Sequence, residues 1–263
     1  MKFDLDAVFV EHGCANSTLA TRILRALPRE VPVTHLADND TREAARPASG
    51  VPDPFGAGKR RLVIARRKTP FLMPCPAGSS KFACCGYLVL TLASNCPMDC
   101  TYCFLQEYLA DNPAFQVYAN FADSFDELDR LCHNARGRSF RVGTGELADS
   151  LAFDSITSVS RDLIDFFAAR ENLTLELKTK TDEIENLLSM DPRGRVLVSW
   201  TLSPDAVYRS SEHLTAAPSA RIAAARAVLD AGYRVAFHFD PLIAYPGAER
   251  DYLRLIDELL DII

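Results

Sequence analysis

The sequence predicts an α/β protein built on parallel strands, and three observations carry that prediction. From Tyr87 onward, short apolar runs alternate with segments of helical spacing, the pattern of parallel strands joined by right-handed crossovers. The 263 residues, 48% of them hydrophobic, suffice for one large domain or for one plus a small appendage. Three cysteines crowd into a loop that follows an apolar strand, the end of a strand where α/β folds place their chemistry.

In order, Ala7-Val8-Phe9-Val10 and Val31-Pro32-Val33-Thr34 are strand candidates. Between them Leu19, Ile23, Leu24 and Leu27 have helical spacing, with Asn16 or Ser17 as the cap. A loop rich in Pro, Gly and Ala, from about Ala45 to Gly58, is the best boundary candidate. Residues 1–58 therefore read as a small N-terminal α/β unit with its linker, and 59–263 as the main body. Lys59-Arg60-Arg61 and Arg66-Arg67-Lys68 bracket a strand from Leu62 to Ala65; these charges face phosphates, acidic surface or simply water.

The main body begins with Tyr87-Leu88-Val89-Leu90-Thr91-Leu92, a buried strand. Ser124-Phe125-Asp126-Glu127 is a capping box opening a helix, and Phe140-Arg141-Val142 is a short strand. Ile156, Val159, Leu163, Phe166 and Phe167 mark one longer amphipathic helix. Leu173 to Lys178 is the third strand, followed by a helix from about Asp182 to Met190. Val196 to Trp200 is the fourth strand, and a helix from about Ser219 to Ala231 leads to the fifth, Arg234 to Phe239. The last helix runs roughly from Glu249 to Leu260.

No apolar run approaches the roughly 20 residues of a membrane span, and the N-terminus lacks a signal-peptide pattern. Eight cysteines, three of them clustered, suit intracellular metal chemistry better than a disulfide framework, so a cytoplasmic location is expected. A formal charge of −6 argues against a surface broadly basic for nucleic acid, without excluding a local basic patch.

The chemistry centres on Cys96-Pro97-Met98-Asp99-Cys100-Thr101-Tyr102-Cys103. Three thiolates at this spacing suit either of two ligand sets. A tetrahedral zinc site needs a fourth ligand, for which Cys84, Cys85 or His133 are candidates. A four-iron cluster on three cysteines leaves one iron open to a substrate or cofactor. Adjacent Cys84 and Cys85 point to opposite sides of an extended chain, so at most one of them joins a common site.

Other candidates lie at the strand ends. Gly143-Thr144-Gly145-Glu146 combines a turn of close backbone approach with a carboxylate able to bind an ammonium group. Lys180 follows the third strand and Ser199 ends the fourth, donors suited to a carboxylate or a ribose; Lys178 would share Lys180's face. His238 and Asp240 form an ionisable pair at the end of the fifth.

C-x₃-C-x₂-C with Tyr102 before the last cysteine resembles the signature of radical S-adenosylmethionine (SAM) enzymes. Leu62 to Lys68, Cys103-Phe104-Leu105-Gln106, Tyr118-Ala119-Asn120, Thr179-Lys180 and the Tyr245–Tyr252 region resemble the spore photoproduct lyase branch, over a span from about Val8 to the C-terminus. The resemblance implies a partial (β/α) barrel with a small N-terminal α/β extension. It implies a [4Fe–4S] cluster on Cys96, Cys100 and Cys103, with SAM on the open iron. It gives the SAM amino group to Glu146 and the Thr144–Gly145 backbone, further SAM contacts to Lys180, Ser199 and Asp240, and the substrate side to Tyr245. An external flavodoxin- or ferredoxin-like electron donor and a DNA substrate are implied partners.

Radical SAM barrels usually have six strands, and here the chain stops near its fifth helix. The sixth strand, and the C-terminal segment that engages DNA in this branch, are therefore expected to be missing, as in a fragment or a shortened member. The branch also carries a cysteine, a hydrogen-atom donor, where this chain has Gly143, and a tyrosine where it has Phe104. Tyr102 is retained and is the catalytic candidate. SAM cleavage is thus expected to persist while dimer repair by the known route is impaired. Two rival expectations are a radical SAM enzyme for a peptide or metabolite, and a zinc-stabilised nucleic-acid-binding module.

Overall fold

The structure, a computed structural model, describes residues 4–38, 40–41, 45–47, 50–76 and 86–261. Cys84 and Cys85 lie outside the described residues. The first part contains β1 (Ala7–Glu11), α1 (Thr18–Ala26), β2 (Val33–Leu36), α2 (Pro54–Lys59), β3 (Arg61–Ala65) and β4 (Leu72–Pro74). Next come β5 (Leu88–Leu90), β6 (Ala93–Ser94), β7 (Asp99–Cys100), α3 (Leu105–Tyr108), β8 (Phe115–Tyr118) and α4 (Asp123–Asn134). The remainder is β9 (Phe140–Gly143), α5 (Asp154–Thr157), α6 (Val159–Ala168), β10 (Leu173–Thr179), α7 (Glu185–Leu188), β11 (Val196–Thr201) and α8 (Asp205–Ser211). It closes with β12 (Glu212–His213), α9 (Pro218–Asp230), β13 (Arg234–His238) and α10 (Ala248–Leu260).

These elements form two sheets. The first has the order β2-β1-β3-β8-β6, parallel except for β6. The second, β4-β5-β9-β10-β11-β13, is parallel except for β4 at its edge. All five strands expected after Tyr87 occur and pair in sequence order. A partial (β/α) barrel results, with β4 and β13 as its outer strands. One apolar core runs through both sheets, from Val8, Ile23 and Ile64 to Leu128, Phe167, Val198 and Trp200.

The alternating pattern of β10 sets the two faces of the second sheet. Leu173, Leu175 and Leu177 are fully buried, and α6 packs against this strand. Thr174, Glu176 and Lys178 consequently point into the concave side of the barrel.

Where local expectation and structure differ, the cause is a specific bond. The second strand starts at Val33 rather than Val31, because Pro32 has no N–H to give a ladder; its carbonyl still accepts Val8 N–H at 2.9 Å. Ser17, not Asn16, caps α1, accepting Ala20 N–H at 3.1 Å. The long helix expected from Ile156 breaks at Ser158 (φ 50°), and Asp154 accepts Ser160 N–H at 2.9 Å to open α6 separately. The helix expected over 182–190 shrinks to Glu185–Leu188, since Thr181 Oγ1 holds Glu183 N–H (3.1 Å) in a turn.

The capping box is a correction. Helix α4 starts two residues early, with Ala122 rather than Ser124 as its N-cap; Ser124 Oγ is buried without a hydrogen-bond partner, and Glu127 reaches away from the helix. Its carboxylate instead accepts Phe71 N–H (3.0 Å) and Leu72 N–H (2.9 Å) ahead of and within β4. A tertiary acceptor has outcompeted the local cap. Replacing Glu127 with Ala should strand both amides and lower unfolding free energy by roughly 1–3 kcal/mol in denaturant titration. An unchanged midpoint would show that water satisfies them instead.

Candidate active site

Cys96, Cys100 and Cys103 sit outside the carboxyl ends of the second sheet's strands and line one cavity of about 280 Å³. The loop that carries them is fixed at four points. Asn95, fully buried and left-handed (φ 69°), accepts Cys96 N–H at 2.7 Å and donates to Pro113 O at 2.5 Å. Lys59, 4% exposed, donates to Met98 O (2.5 Å) and to Asp99 (3.2 Å). Gln106 donates to Cys100 O at 2.7 Å. Finally, β7 pairs with β12, setting Cys100 opposite Glu212.

Glu212 is the polar hub beneath this loop. Its Oε1 accepts the Tyr102 hydroxyl, the Lys180 ammonium at 2.9 Å and the Ser203 hydroxyl at 3.0 Å. Its Oε2 accepts Arg221 Nη2 at 2.7 Å, and both side chains of that pair are fully buried. Burial pushes the Glu212 carboxyl up, but Lys180, Arg221 and the Tyr102 hydrogen bond outweigh it and hold it down at about 2. Lys180 also donates to Tyr102 Oη at 2.7 Å. Burial, and then the bond to Glu212, raises the Tyr102 phenol well above its ordinary value, so it stays protonated.

The structure brings most of the expected residues together. Cys96, Cys100, Cys103, Tyr102, Gly145, Glu146, Lys180 and Asp240 all line the same cavity, with Phe104 at its mouth, 56% exposed. Lys178 also lines it, bonded to Asp240 at 3.1 Å. Three expected residues are not brought to it. The Thr144 hydroxyl donates to Ser150 Oγ at 2.7 Å and lines a neighbouring small cavity. Ser199 is fully buried, its hydroxyl given to Glu176 at 2.9 Å. Tyr245 bonds Asp251 at 3.1 Å at the start of α10.

Sequence reasoning missed Asp149, Glu212 and Arg221. Asp149 accepts Lys180 N–H (2.8 Å), the Thr179 hydroxyl (2.8 Å) and the amides of Leu151 and Ala152, so it fixes the backbone that carries Lys180. Arg221 had a readable signal: with Ala224, Ala225 and Val228 it occupies the buried stripe of α9, where a charge needs a buried partner. Nothing local marks Glu212.

The donor set fits an iron–sulfur cluster. Burial pushes the thiols of Cys96 and Cys100 up, Cys100 to about 11, so metal binding must displace protons. Among the described residues no three His, Cys, Asp or Glu side chains are grouped as ligands of a single ion. A cube of four irons presents a separate corner to each thiolate, so the sulfurs need not converge on one point. His133, at the far end of α4, is not among the residues lining this cavity.

A family model described as spore photoproduct lyase matches residues 3–263. Curated spore photoproduct lyases from Geobacillus sp. (strain Y412MC61) and Bacillus subtilis (strain 168) are 28% and 26% identical over 201 residues. Those matches cover 76% of this chain and 57% of each relative, so the chain spans little more than half their length. Among solved structures, a spore photoproduct lyase complexed with dinucleoside spore photoproduct superposes with a TM-score of 0.88 at 23% identity, covering 99% of this chain and 75% of that one. A mutant spore photoproduct lyase with bound AdoMet and dinucleoside spore photoproduct gives 0.86 at 23%, with the same coverage.

Because Glu212's carboxyl is depressed in the folded chain, its stabilisation is complete above its ordinary value of 4.5 and is lost as pH falls from there towards about 2. Replacing Glu212 with Gln should flatten that acid limb and, by stranding Arg221, cost on the order of 3–5 kcal/mol at neutral pH. Denaturant unfolding of both proteins across pH 7 to 2 measures the two effects together.

Proposed function

Because the chain belongs to the spore photoproduct lyase family, we propose that it is a radical SAM enzyme acting on a thymine photoproduct in DNA, with Cys96, Cys100 and Cys103 as ligands of a [4Fe–4S] cluster. The observation that carries this reading is the shared cavity of the three cysteines, Gly145, Glu146, Lys180 and Asp240. When bound, the cluster and SAM would supply one-electron reduction and hydrogen-atom abstraction, chemistry that side chains lack.

The protein's own share is binding, orientation and shielding. Glu146 has no side-chain partner among the described residues, and its carboxylate is available to an ammonium group. Gly145 lies against Lys178, where a Cβ would fall 2.7 Å from that residue's Cβ, so glycine lets the turn pack directly against β10 at the edge of the cavity. Lys180, with two of its three N–H groups committed to Tyr102 and Glu212, has one left for a carboxylate or ribose oxygen. Asp240, held by Lys178, adds an acceptor at the rim. Tyr102 remains the candidate for hydrogen transfer, and its hydroxyl would have to leave Glu212 to take part.

At the position where the family resemblance places a cysteine, Gly143 leaves no room for one. A Cβ there would fall 1.5 Å from Tyr87 Oη and 2.4 Å from its Cζ. Tyr87 has thus taken the space of a side chain at 143, and the two positions are coupled. Gly143→Cys alone should overpack this site and cost about 1–3 kcal/mol, and adding Tyr87→Ala should recover most of it; thermal melts of the single and double variants decide.

Anaerobic reconstitution with iron and sulfide should give a brown protein that releases 5′-deoxyadenosine from SAM under a low-potential reductant. Cys100→Ala should lose both colour and cleavage. A colourless wild-type protein retaining one zinc would end this reading. Transfer of deuterium from labelled dinucleoside spore photoproduct into 5′-deoxyadenosine would establish the substrate.

A further inference from the structure

One layer beneath the cavity, the concave face of the second sheet carries a second polar cluster that none of the roles above uses. The sheet register puts Gly143 beside Glu176 and Lys178 beside Ser199, so these residues share a face with Gly145 and Lys180 at the strand ends. Glu176, only 3% exposed at its side chain, is the hub. Its Oε1 accepts the Ser199 hydroxyl (2.9 Å) and pairs with His238 Nε2 (3.1 Å), while its Oε2 lies 3.5 Å from Arg141 Nε. Burial raises the Glu176 carboxyl, but His238, Ser199 and Arg141 more than compensate, and it is ionised.

Two oxygens of one carboxylate therefore clamp an arginine and a histidine side by side. Both remain partly exposed, Arg141 at 47% and His238 at 35%. The Glu176 carboxylate accepts from His238 Nε2, and in the Nε2-protonated tautomer Nδ1 is the ring's acceptor. The Arg141 guanidinium presents its terminal N–H groups, and it lies 5.0 Å from the centre of the Tyr87 ring. The Tyr87 hydroxyl has no partner among the described residues, and burial raises its phenol well above the ordinary value, so it keeps its proton. The free groups are thus a fork of donors, a neighbouring acceptor and a phenolic donor. An anion site would present donors alone. A donor next to an acceptor matches an uncharged ring edge in which a carbonyl adjoins an N–H, the edge of a pyrimidine imide.

We propose that Arg141 and His238, clamped by Glu176 and flanked by Tyr87, seat the pyrimidine edge of the substrate. The proposal rests on the thymine-photoproduct reading given above and assigns that substrate's contact residues.

The test is calorimetric titration of the reconstituted wild-type, Arg141→Ala, His238→Ala and Tyr87→Phe proteins with dinucleoside spore photoproduct, which carries pyrimidine rings without phosphate. Inorganic phosphate serves as the competing probe, and SAM binding with unprompted 5′-deoxyadenosine release is measured on each protein. The expected result is at least tenfold weaker dinucleoside binding by Arg141→Ala and His238→Ala, and a smaller loss in Tyr87→Phe, which keeps the ring and so guards against misfolding. SAM binding and deoxyadenosine release should be unchanged in all. Equal dinucleoside affinity across the four proteins overturns the proposal and leaves the functional reading intact. Arg141-dependent binding of phosphate in place of the dinucleoside overturns it in favour of an anion site. A wild-type protein that releases deoxyadenosine but binds no dinucleoside overturns it together with the choice of substrate.

Discussion

Glu212 gathers side chains from four parts of the chain: Tyr102 from the cysteine loop, Lys180 from the end of β10, Ser203 beyond β11 and Arg221 from α9. A carboxylate buried to this extent costs several kcal/mol in lost hydration unless donors replace the water. Here a full set does, and Arg221 spends its remaining N–H groups on Ala216 O, Thr201 O and Thr215. The backbone of Glu212 also pairs with Cys100. One residue therefore fixes the height of the cysteine loop above the sheet and the direction of Lys180. An apolar substitute of equal volume could fill the space but could not orient a lysine and a phenol at once.

The same device recurs one layer deeper with Glu176. In both layers a buried acid is satisfied by hydroxyls and by cationic or ring nitrogens from other elements. The stability of the second sheet must then come mainly from its other face, where Leu173, Leu175, Leu177, Val196, Val198 and Trp200 are fully buried. This separation releases the concave side from packing duty. Barrels whose interior is filled by branched apolar side chains have no such room.

Much of this was legible in the sequence, because period and spacing encode it. The five parallel strands, the helices α1, α9 and α10, and the gathering of Cys96, Cys100, Cys103, Gly145, Glu146, Lys180 and Asp240 all follow from alternation and from position at strand ends. What escaped was decided by partners distant in the chain. Glu127 reads as half of a capping box until the amides of Phe71 and Leu72 claim it. Ser199 reads as a strand-end donor until Glu176 takes its hydroxyl, and Phe115–Tyr118 completes the first sheet only because β3 and β6 flank it. The alternation of Thr174, Glu176 and Lys178 did hold a clue. When one face of a strand packs against helices, the polar face must line the interior, and an acid there has to find its counterpart on an adjacent strand.

The depth of the proposed seat bears on how a substrate would reach it. A base within duplex DNA is out of reach of any enclosed pocket and has to be extruded before chemistry can occur on it. Among the described residues the second sheet has β13 and β4 as its outer strands. His238 lies on that outer strand β13, and Phe104 stands exposed at the cavity mouth, where an aromatic face can stack on an extruded ring. With the proposed seat one layer beneath the cavity, a lesion passing Phe104 would meet the strand ends first and then Arg141 and His238. The polar concave face would suit such a ring, because it offers hydrogen-bonding groups where a filled barrel has branched apolar side chains.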